Sequence, residues 1–357
     1  MRLRDADLCD ERIIAMDIWK VENLKYFMST VIFAFLATQV HASPLFDENS
    51  ILEIELHGPR QEFVKERKQE NDWPYKLATQ TSTHNIQLRA RGNSRLRICT
   101  LPPLRVEFNG VDNHQTIYEG LEKLKLVMPC RHGDAAQANV MQEYLAYRIF
   151  NLVTDHSYRV RLLKITFVES QEDKTAENEV SFGFAIEPRQ AFADLVDGAA
   201  ANISGVSLAS FNRQHMAKVY IFQYLIGNTD WSLVPAEGDE ICCHNGEILD
   251  IDQNRYFVPY DFDLSGLVNA SYAYPDASLR IREVTQRLYR GFCMSREELQ
   301  IALAAIKQKK SDILLELNNL PGMQEKEQKK TRKFLEAFFE DAEDEQKLLN
   351  QFERRCL

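Results

Sequence analysis

The chain has 357 residues, 45% of them hydrophobic and 27% charged, an ordinary globular composition with enough apolar material for one large domain or two packed lobes. Its formal net charge of −10 argues against wholesale attraction to nucleic acid or to an anionic membrane surface, while leaving room for a locally basic pocket. No CxxC pair occurs and the histidines are scattered, so a structural zinc site is not expected.

In chain order, the first feature is the apolar run "YFMSTVIFAFLATQV" at 26–40, preceded by Lys20 and Lys25, with its last residue Val40 and then Ala42 at the small-residue positions of a signal-peptidase site. Residues 1–42 are therefore expected to be a signal peptide cut after Ala42, and a start at Met16 would give it a more typical length than Met1. The competing reading is an uncleaved anchor, but a spanning helix needs roughly 20 apolar residues, and this run is interrupted by Ser29, Thr30 and Thr38. Cleavage removes Cys9 and leaves Cys99, Cys130, Cys242, Cys243, Cys293 and Cys356, an even set suited to disulfides. The expected protein is exported, periplasmic or extracellular, with no stable membrane span.

The stretch 50–108 reads as strands, among them "ILEIELHG", "IQLRARGNSRLRI" with Ile86, Leu88 and Ala90 on one face before a Gly-Asn turn and an outgoing arm, and "LPPLRVEF". A further strand is expected at 121–127. The ends of "RLRIC" and "LKLVMPC" then predict a Cys99–Cys130 disulfide, with Cys293–Cys356 a second candidate; the adjacent Cys242 and Cys243 serve packing or a disulfide. Residues 139–153 carry Val140, Tyr144, Tyr147 and Phe150 at helical spacing, opened by Asn139 as cap. "RVRLLKITFVE" and "SFGFAIEP" return to strand around a charged loop at 170–179. A helix from Asn212 stops at Gly227-Asn228, and two short strands follow, near "EICCHNGEILD" and "RYFVPYDFD". The end is helical, with a Ser295/Glu298 capping box opening one helix that stops before Pro321, and a charged amphipathic helix at 323–355. Strands with one helix, then a helix-rich half, is an α+β order compatible with a two-lobed nucleotide-binding enzyme.

Three stretches carry candidate chemistry: "LIGNTDWS", "CCHNGEIL" and "YFVPYDFDLSG". Each sets an acidic or amide side chain at the mouth of an element, Asp230, then Asn245, then Asp261 with Asp263. Phosphoryl transfer needs this inventory, a carboxylate to orient the acceptor hydroxyl and an amide plus a carboxylate to hold Mg²⁺ on the phosphates. The trio follows the protein-kinase order, although His-Arg is missing before the first Asp and the second motif is D-F-D rather than D-F-G. Blander readings stand beside this one: Asp230 as a cap, Asp261 and Asp263 on a structural Ca²⁺, and "RGNSR", with Arg91 and Asn93, as a plain hairpin turn instead of a phosphate cradle.

Together, "RARGNSRLR", "NVMQEYLAYRIFNL", "GFAIEP", "GNTDW" with "HN", and "VPYDFDLSG" resemble the CotH-like family of atypical protein kinases, over roughly residues 50–290. The resemblance implies a two-lobed kinase-like domain at 45–294, strand-rich over about 45–190 and helical over about 191–294, with a C-terminal helical extension at 295–357. It implies ATP and Mg²⁺ as cofactors and Ser or Thr of a protein partner as acceptor. It makes Asp230 the catalytic aspartate, Asn245 and Asp261 metal ligands, and Asp263 a supporting or second-metal carboxylate. Glu187 would lie near the nucleotide base. The family's phosphate-contacting lysine has no clear match, because its stretch reads "PPLR" here; Lys125 and Arg105 are both candidates, with Glu143 as partner. A catalytically silent surface protein, and an enzyme transferring another part of the nucleotide such as AMP, are the alternatives.

Overall fold

The computed structural model describes residues 43–69, 71–92, 94–170, 178–234 and 241–357. The expected signal segment with its cleavage after Ala42, the candidate Asn93, and most of the charged loop at 170–179 lie outside the described residues.

Period-2 alternation builds the N-terminal half. In β1 (Leu52–Gly58), β2 (Trp73–Ala78), β3 (Thr83–Ala90), β4 (Leu104–Glu107) and β5 (Lys123–Val127) every second side chain is buried, among them Ile54, Leu56, Tyr75, Leu77, Leu88, Val106 and Leu126. Each of these strands pairs antiparallel with the next. β5 then pairs with β7 (Glu179–Ile186), β7 with β6 (Val160–Glu169), and β6 returns parallel to β1, Leu52 opposite Leu163. The sheet is therefore a closed seven-stranded barrel, which leaves no free edge. The first part of β6 and the second half of β7 are covered on both faces: Leu163, Ile165 and Ala185 belong to the barrel core, Leu162, Phe184 and Ile186 to the helical core. Burial on both sides accounts for the apolar runs Leu162-Leu163 and Phe184-Ala185-Ile186.

Three local expectations are corrected. A helix, α1 (Arg60–Glu66), with Phe63 buried in the barrel core, interrupts the run of strands expected at 50–108. The outgoing arm after the R-G-N-S turn is α2 (Ser94–Ile98), a short helix that ends at the Cys99–Cys130 disulfide. The next helix, α3 (Asp134–Val153), starts after Gly133 at φ 103, so Asn139 lies inside it and is not its cap. Its stripe of Val140, Tyr144, Tyr147 and Phe150 is buried as expected.

The helical half follows α4 (Arg189–Leu195) and β8 (Ala199–Ala201). Asn212 caps α5 (Arg213–Ile226), accepting from the His215 amide, and Gly227 ends it in the left-handed conformation at φ 64. β9 (Gly246–Ile251) and β10 (Asn254–Pro259) complete a small antiparallel sheet in the order β10-β9-β8. The Ser295/Glu298 capping box opens α6 (Arg296–Gln308). The helix expected up to Pro321 breaks at Lys309 into α6 and α7 (Lys310–Asn318), and the one expected at 323–355 divides into α8 (Glu325–Asp341) and α9 (Glu345–Arg355), the latter capped by Asp344. Both breaks let amphipathic segments fold back over the core shared by α3 and α5, where Leu303, Ile313, Leu335 and Phe352 are buried. The Cys293–Cys356 disulfide closes this region, and Cys242–Cys243 are also bonded. No helix among the described residues is long and apolar enough to cross a membrane.

Candidate active site

The three motif loops meet on one cleft of about 560 Å³ between the outer wall of the barrel and the helical half. Asp230, Asn245, Asp261, Asp263, Lys125, Glu143, Glu187 and Arg91 all line it. Arg105 does not; it pairs with Glu107 at 2.7 Å.

The first loop leaves α5 through Gly227. Buried Asn228 accepts from the Asp230 amide (2.9 Å) and donates to Gln223 (3.0 Å), which fixes the backbone at Asp230. The Asp230 carboxylate receives Nδ2 of Asn245 at 2.7 Å on Oδ2, and Nε2 of His244 lies 2.9 Å from Oδ1. The same Asn245 amide donates to the Asp230 carbonyl at 2.7 Å, leaving the Asn245 side-chain oxygen to accept another ligand. The hydrogen bond to Asp230 raises the His244 pKa.

The two aspartates after β10 have different surroundings. Phe262 between them is fully buried, against Tyr147 at 4.6 Å and Phe222 at 5.3 Å between ring centroids, so the loop is pinned by the residue separating the carboxylates. Asp261 adopts φ 61, a left-handed conformation that Asp tolerates, and its amide donates to the Tyr147 hydroxyl at 2.9 Å. Its side chain keeps 46% of its surface open, whereas that of Asp263 keeps 8%. Asp261 nevertheless lies deep within the cleft, and burial, then the like charge of Asp263, push its pKa up to about 6. The closing glycine of the motif has a steric role: a Cβ on Gly266 would stand 2.5 Å from the Val284 carbonyl. Its amide donates to the Gly227 carbonyl at 3.0 Å, joining the D-F-D loop to the end of α5.

Sequence reasoning misses Arg95. This buried guanidinium on α2 donates to Asp263 at 2.7 Å and to Glu143 on α3 at 2.8 Å, and stands 3.7 Å from Asp261. Burial alone would lower its pKa, but Glu143, Asp263 and Asp261 outweigh burial and hold it well above its usual range. Glu143 is thus partnered by Arg95, neither by Lys125 nor by Arg105. Glu187 is buried and accepts from Arg159 at 2.6 Å and 3.0 Å, so its carboxylate is already neutralised; burial raises its pKa and Arg159 pulls it back.

Lys125 remains. It lies against the Tyr260 ring at 5.4 Å and forms no ion pair among the described residues, and burial lowers its pKa. Arg91 and Arg97, also lining the cleft, have no ion-pair partner among the described residues. The cleft thus holds three cations without an ion pair among the described residues, Arg91 close enough to act on the half-open carboxylate of Asp261. Among the described residues no cluster of three His, Cys, Asp or Glu forms a ready metal cage. Mg²⁺ commonly uses one or two protein carboxylates and takes the rest of its shell from phosphate and water, so the donors to test are single oxygens. Asp261 and the free oxygen of Asn245 supply such donors, while Asp263 is committed to Arg95.

No family model matches the chain, and no curated protein matches it, so membership of the family expected from the motifs is not shown. Among solved structures, the Helicobacter pylori proinflammatory kinase CtkA aligns at 9% identity over 80% of this chain and 91% of that chain, with a TM-score of 0.34. A likeness of that degree assigns neither a family nor an activity to this chain.

Proposed function

We propose that the chain is an exported, ATP- and Mg²⁺-dependent phosphotransferase of the CotH-like kinase type, with Ser or Thr of a protein as acceptor. The barrel with α3 acts as the nucleotide lobe and the segment from about 191 onward as the acceptor lobe, followed by the C-terminal helices as an extension. One observation carries the reading: Asp230, Asn245 and Asp261, from three separate loops, converge on one cleft with Lys125, which is half-buried and forms no ion pair among the described residues.

Within that reading Lys125 binds the phosphates, assisted by Arg91 and Arg97 at the rim. Asp261 and the Asn245 oxygen hold Mg²⁺, which when bound withdraws charge from the phosphate oxygens. Asp230 orients the acceptor hydroxyl and receives its proton. Arg95 binds no ligand itself and keeps Asp263 and Glu143 in place. The disulfides support export, since bonded cysteines persist in oxidising compartments.

The test is Mg²⁺-dependent thermal stabilisation of the full chain by nucleotides, followed by intact-mass analysis after incubation with ATP. Asp261→Asn is expected to abolish the stabilisation. Asp230→Asn is expected to preserve it and remove transfer. A mass gain of one phosphoryl group supports the proposal. An adenylyl increment makes the chain an AMP transferase instead, and stabilisation without any increment makes it a binding protein. No stabilisation by any nucleotide refutes the whole reading.

A further inference from the structure

We propose that His244 is a positioning residue for Asp230, holding the carboxylate in the one orientation that serves the acceptor. The proposal rests on the phosphotransfer reading and concerns a residue that lies in the motif stretch "HN" without a role assigned to it.

Among the described residues, His244 is the side chain hydrogen-bonded to Oδ1 of Asp230. The main chain at Asp230 is fixed on both sides, its amide by Asn228 at 2.9 Å and its carbonyl by Asn245 at 2.7 Å. The carboxylate is a separate matter, because rotation about its side-chain bonds is still open. Asn245 holds Oδ2 at 2.7 Å, and His244 Nε2 is the partner of Oδ1 at 2.9 Å. With an imidazole proton on Nε2, both oxygens are held and each retains a lone pair for an incoming hydroxyl. Without it, the amide of Asn245 is the remaining side-chain hydrogen bond to the carboxylate among the described residues, and that amide is shared with the carbonyl.

The ring itself is held in place by the chain around it. The His244 carbonyl accepts from Ser232 at 3.1 Å and its amide donates to Val234 at 3.3 Å, a bridge across the loop that carries Asp230. Cys243, immediately before it, is bonded to Cys242, whose amide donates to the Ile203 carbonyl at 2.8 Å. On its other side Asn245 is in the left-handed conformation, φ 51, and its carbonyl accepts from Tyr260 at 3.1 Å. So much support for one short segment would be superfluous around a solvent-facing histidine of no consequence. The side chain keeps 38% of its surface exposed, so shortening it removes little buried area.

The experiment compares the parent, His244→Ala and His244→Gln as full chains with intact disulfides. Mg²⁺-ATP binding is read by thermal stabilisation and turnover by phosphate release and intact mass. His244→Ala is expected to leave the KM for ATP within about twofold and to lower kcat by roughly 10- to 100-fold, as misplacement of a reacting group does. His244→Gln is expected to recover most of kcat, because a glutamine amide brings an N–H to about the place of Nε2. A His244→Ala chain with parental kcat overturns the proposal and leaves the phosphotransfer reading standing. So does a fall in kcat and nucleotide binding together that glutamine fails to rescue, which would make His244 a structural stitch of the loop. A parent that binds Mg²⁺-ATP yet transfers nothing removes the underlying reading, and His244 falls with it.

Discussion

Replacing Arg95 with methionine removes the cation on which the deep end of the cleft depends. The change is close in volume, so it isolates charge from packing. In the parent, Glu143 is 2% exposed and Asp263 6%, and each has the Arg95 guanidinium within 2.8 Å. Without it two buried carboxylates, with Asp261 3.7 Å from the vacated group, lose their common partner. Breaking a buried ion pair by deleting one side costs about 3–5 kcal/mol, because the remaining charge stays desolvated. For a chain of this size that corresponds to a fall in Tm on the order of 10 °C. The penalty has a direction with pH. Burial holds the Glu143 pKa well above its ordinary 4.5, although Arg95 pulls it down, and loss of Arg95 lets it climb further. A carboxyl with a raised folded-state pKa binds protons in the native state that the unfolded chain has released. Its contribution is therefore fully present below about pH 4.5 and lost as pH rises through the folded value. Arg95→Met should accordingly be least destabilised near pH 5 and most at pH 8. Adding Glu143→Gln should recover at least about 1 kcal/mol, a coupling that marks direct contact. Urea denaturation of the four chains at both pH values measures all of this. An Arg95→Met chain within about 0.5 kcal/mol of the parent, or an additive double variant, would refute the assignment of Arg95 as the shared counter-ion.

Lys125→Ala is expected to weaken Mg²⁺-ATP binding by about tenfold or more, roughly the 1.4 kcal/mol of a lost charge-assisted contact, while Arg105→Ala leaves it unchanged; titration calorimetry separates the two. Cys99→Ala with Cys130→Ala opens a disulfide spanning 31 residues and should cost roughly 3–4 kcal/mol in urea denaturation, by the chain-entropy relation. His215 is buried with one ring nitrogen 2.8 Å from the Phe257 carbonyl and the other, Nδ1, without a partner, and burial first of all lowers its pKa to about 3. The stability tied to its neutral form is present above pH 6.5 and lost as pH falls toward 3, so the parent should lose about 2 kcal/mol more than His215→Met between pH 7 and 5.

The parts of the site that were legible in the sequence are those whose chemistry sits in short loops. Asp230, Asn245 and Asp261 stand beside glycine, a strand end or a buried aromatic, and their spacing in the chain survives folding because each loop is set by its own element. Arg95 was not legible for two reasons. Its partner Asp263 is 168 residues away, and "SRLRIC" alternates charged and apolar residues as a strand would, yet folds as the helix α2. His244 was in plain view beside Asn245, but nothing local says that its ring reaches a carboxylate 14 positions earlier. Closure of the barrel was equally hidden. β1 carries an ordinary alternation, and only its parallel pairing with β6, more than a hundred residues on, turns a sheet into a barrel. The early start of α3 escaped because "DAAQA" has good helix formers and almost no apolar stripe, and the break at Lys309 because neither Gly nor Pro marks it.

The two ends of the cleft differ in what they lack. At the D-F-D end every buried charge has a partner without any ligand, since Arg95 answers Glu143 and Asp263, and the loop is tied to α5 through Gly266 and Gly227. That end can hold its shape in the free protein, as a preorganised site must. At the barrel end Lys125 lies against Tyr260 without an ion pair among the described residues, and desolvation lowers its pKa more than the charges of Glu247 and Asp261 raise it. A polyanion placed there raises the Lys125 pKa, and so draws a proton onto the protein in any buffer where part of the free lysine is neutral. Asp261, whose pKa is raised to about 6, is affected in the opposite sense by a cation, which favours its ionised form. On the proposed reading, phosphate and divalent metal would each correct a different imbalance in the same cavity. Neither correction is complete alone, because the phosphate by itself would bring negative charge up to Asp261, and the metal by itself would face Lys125, Arg91 and Arg97. The cleft should for that reason bind metal and phosphate chain together more strongly than the sum of their separate affinities.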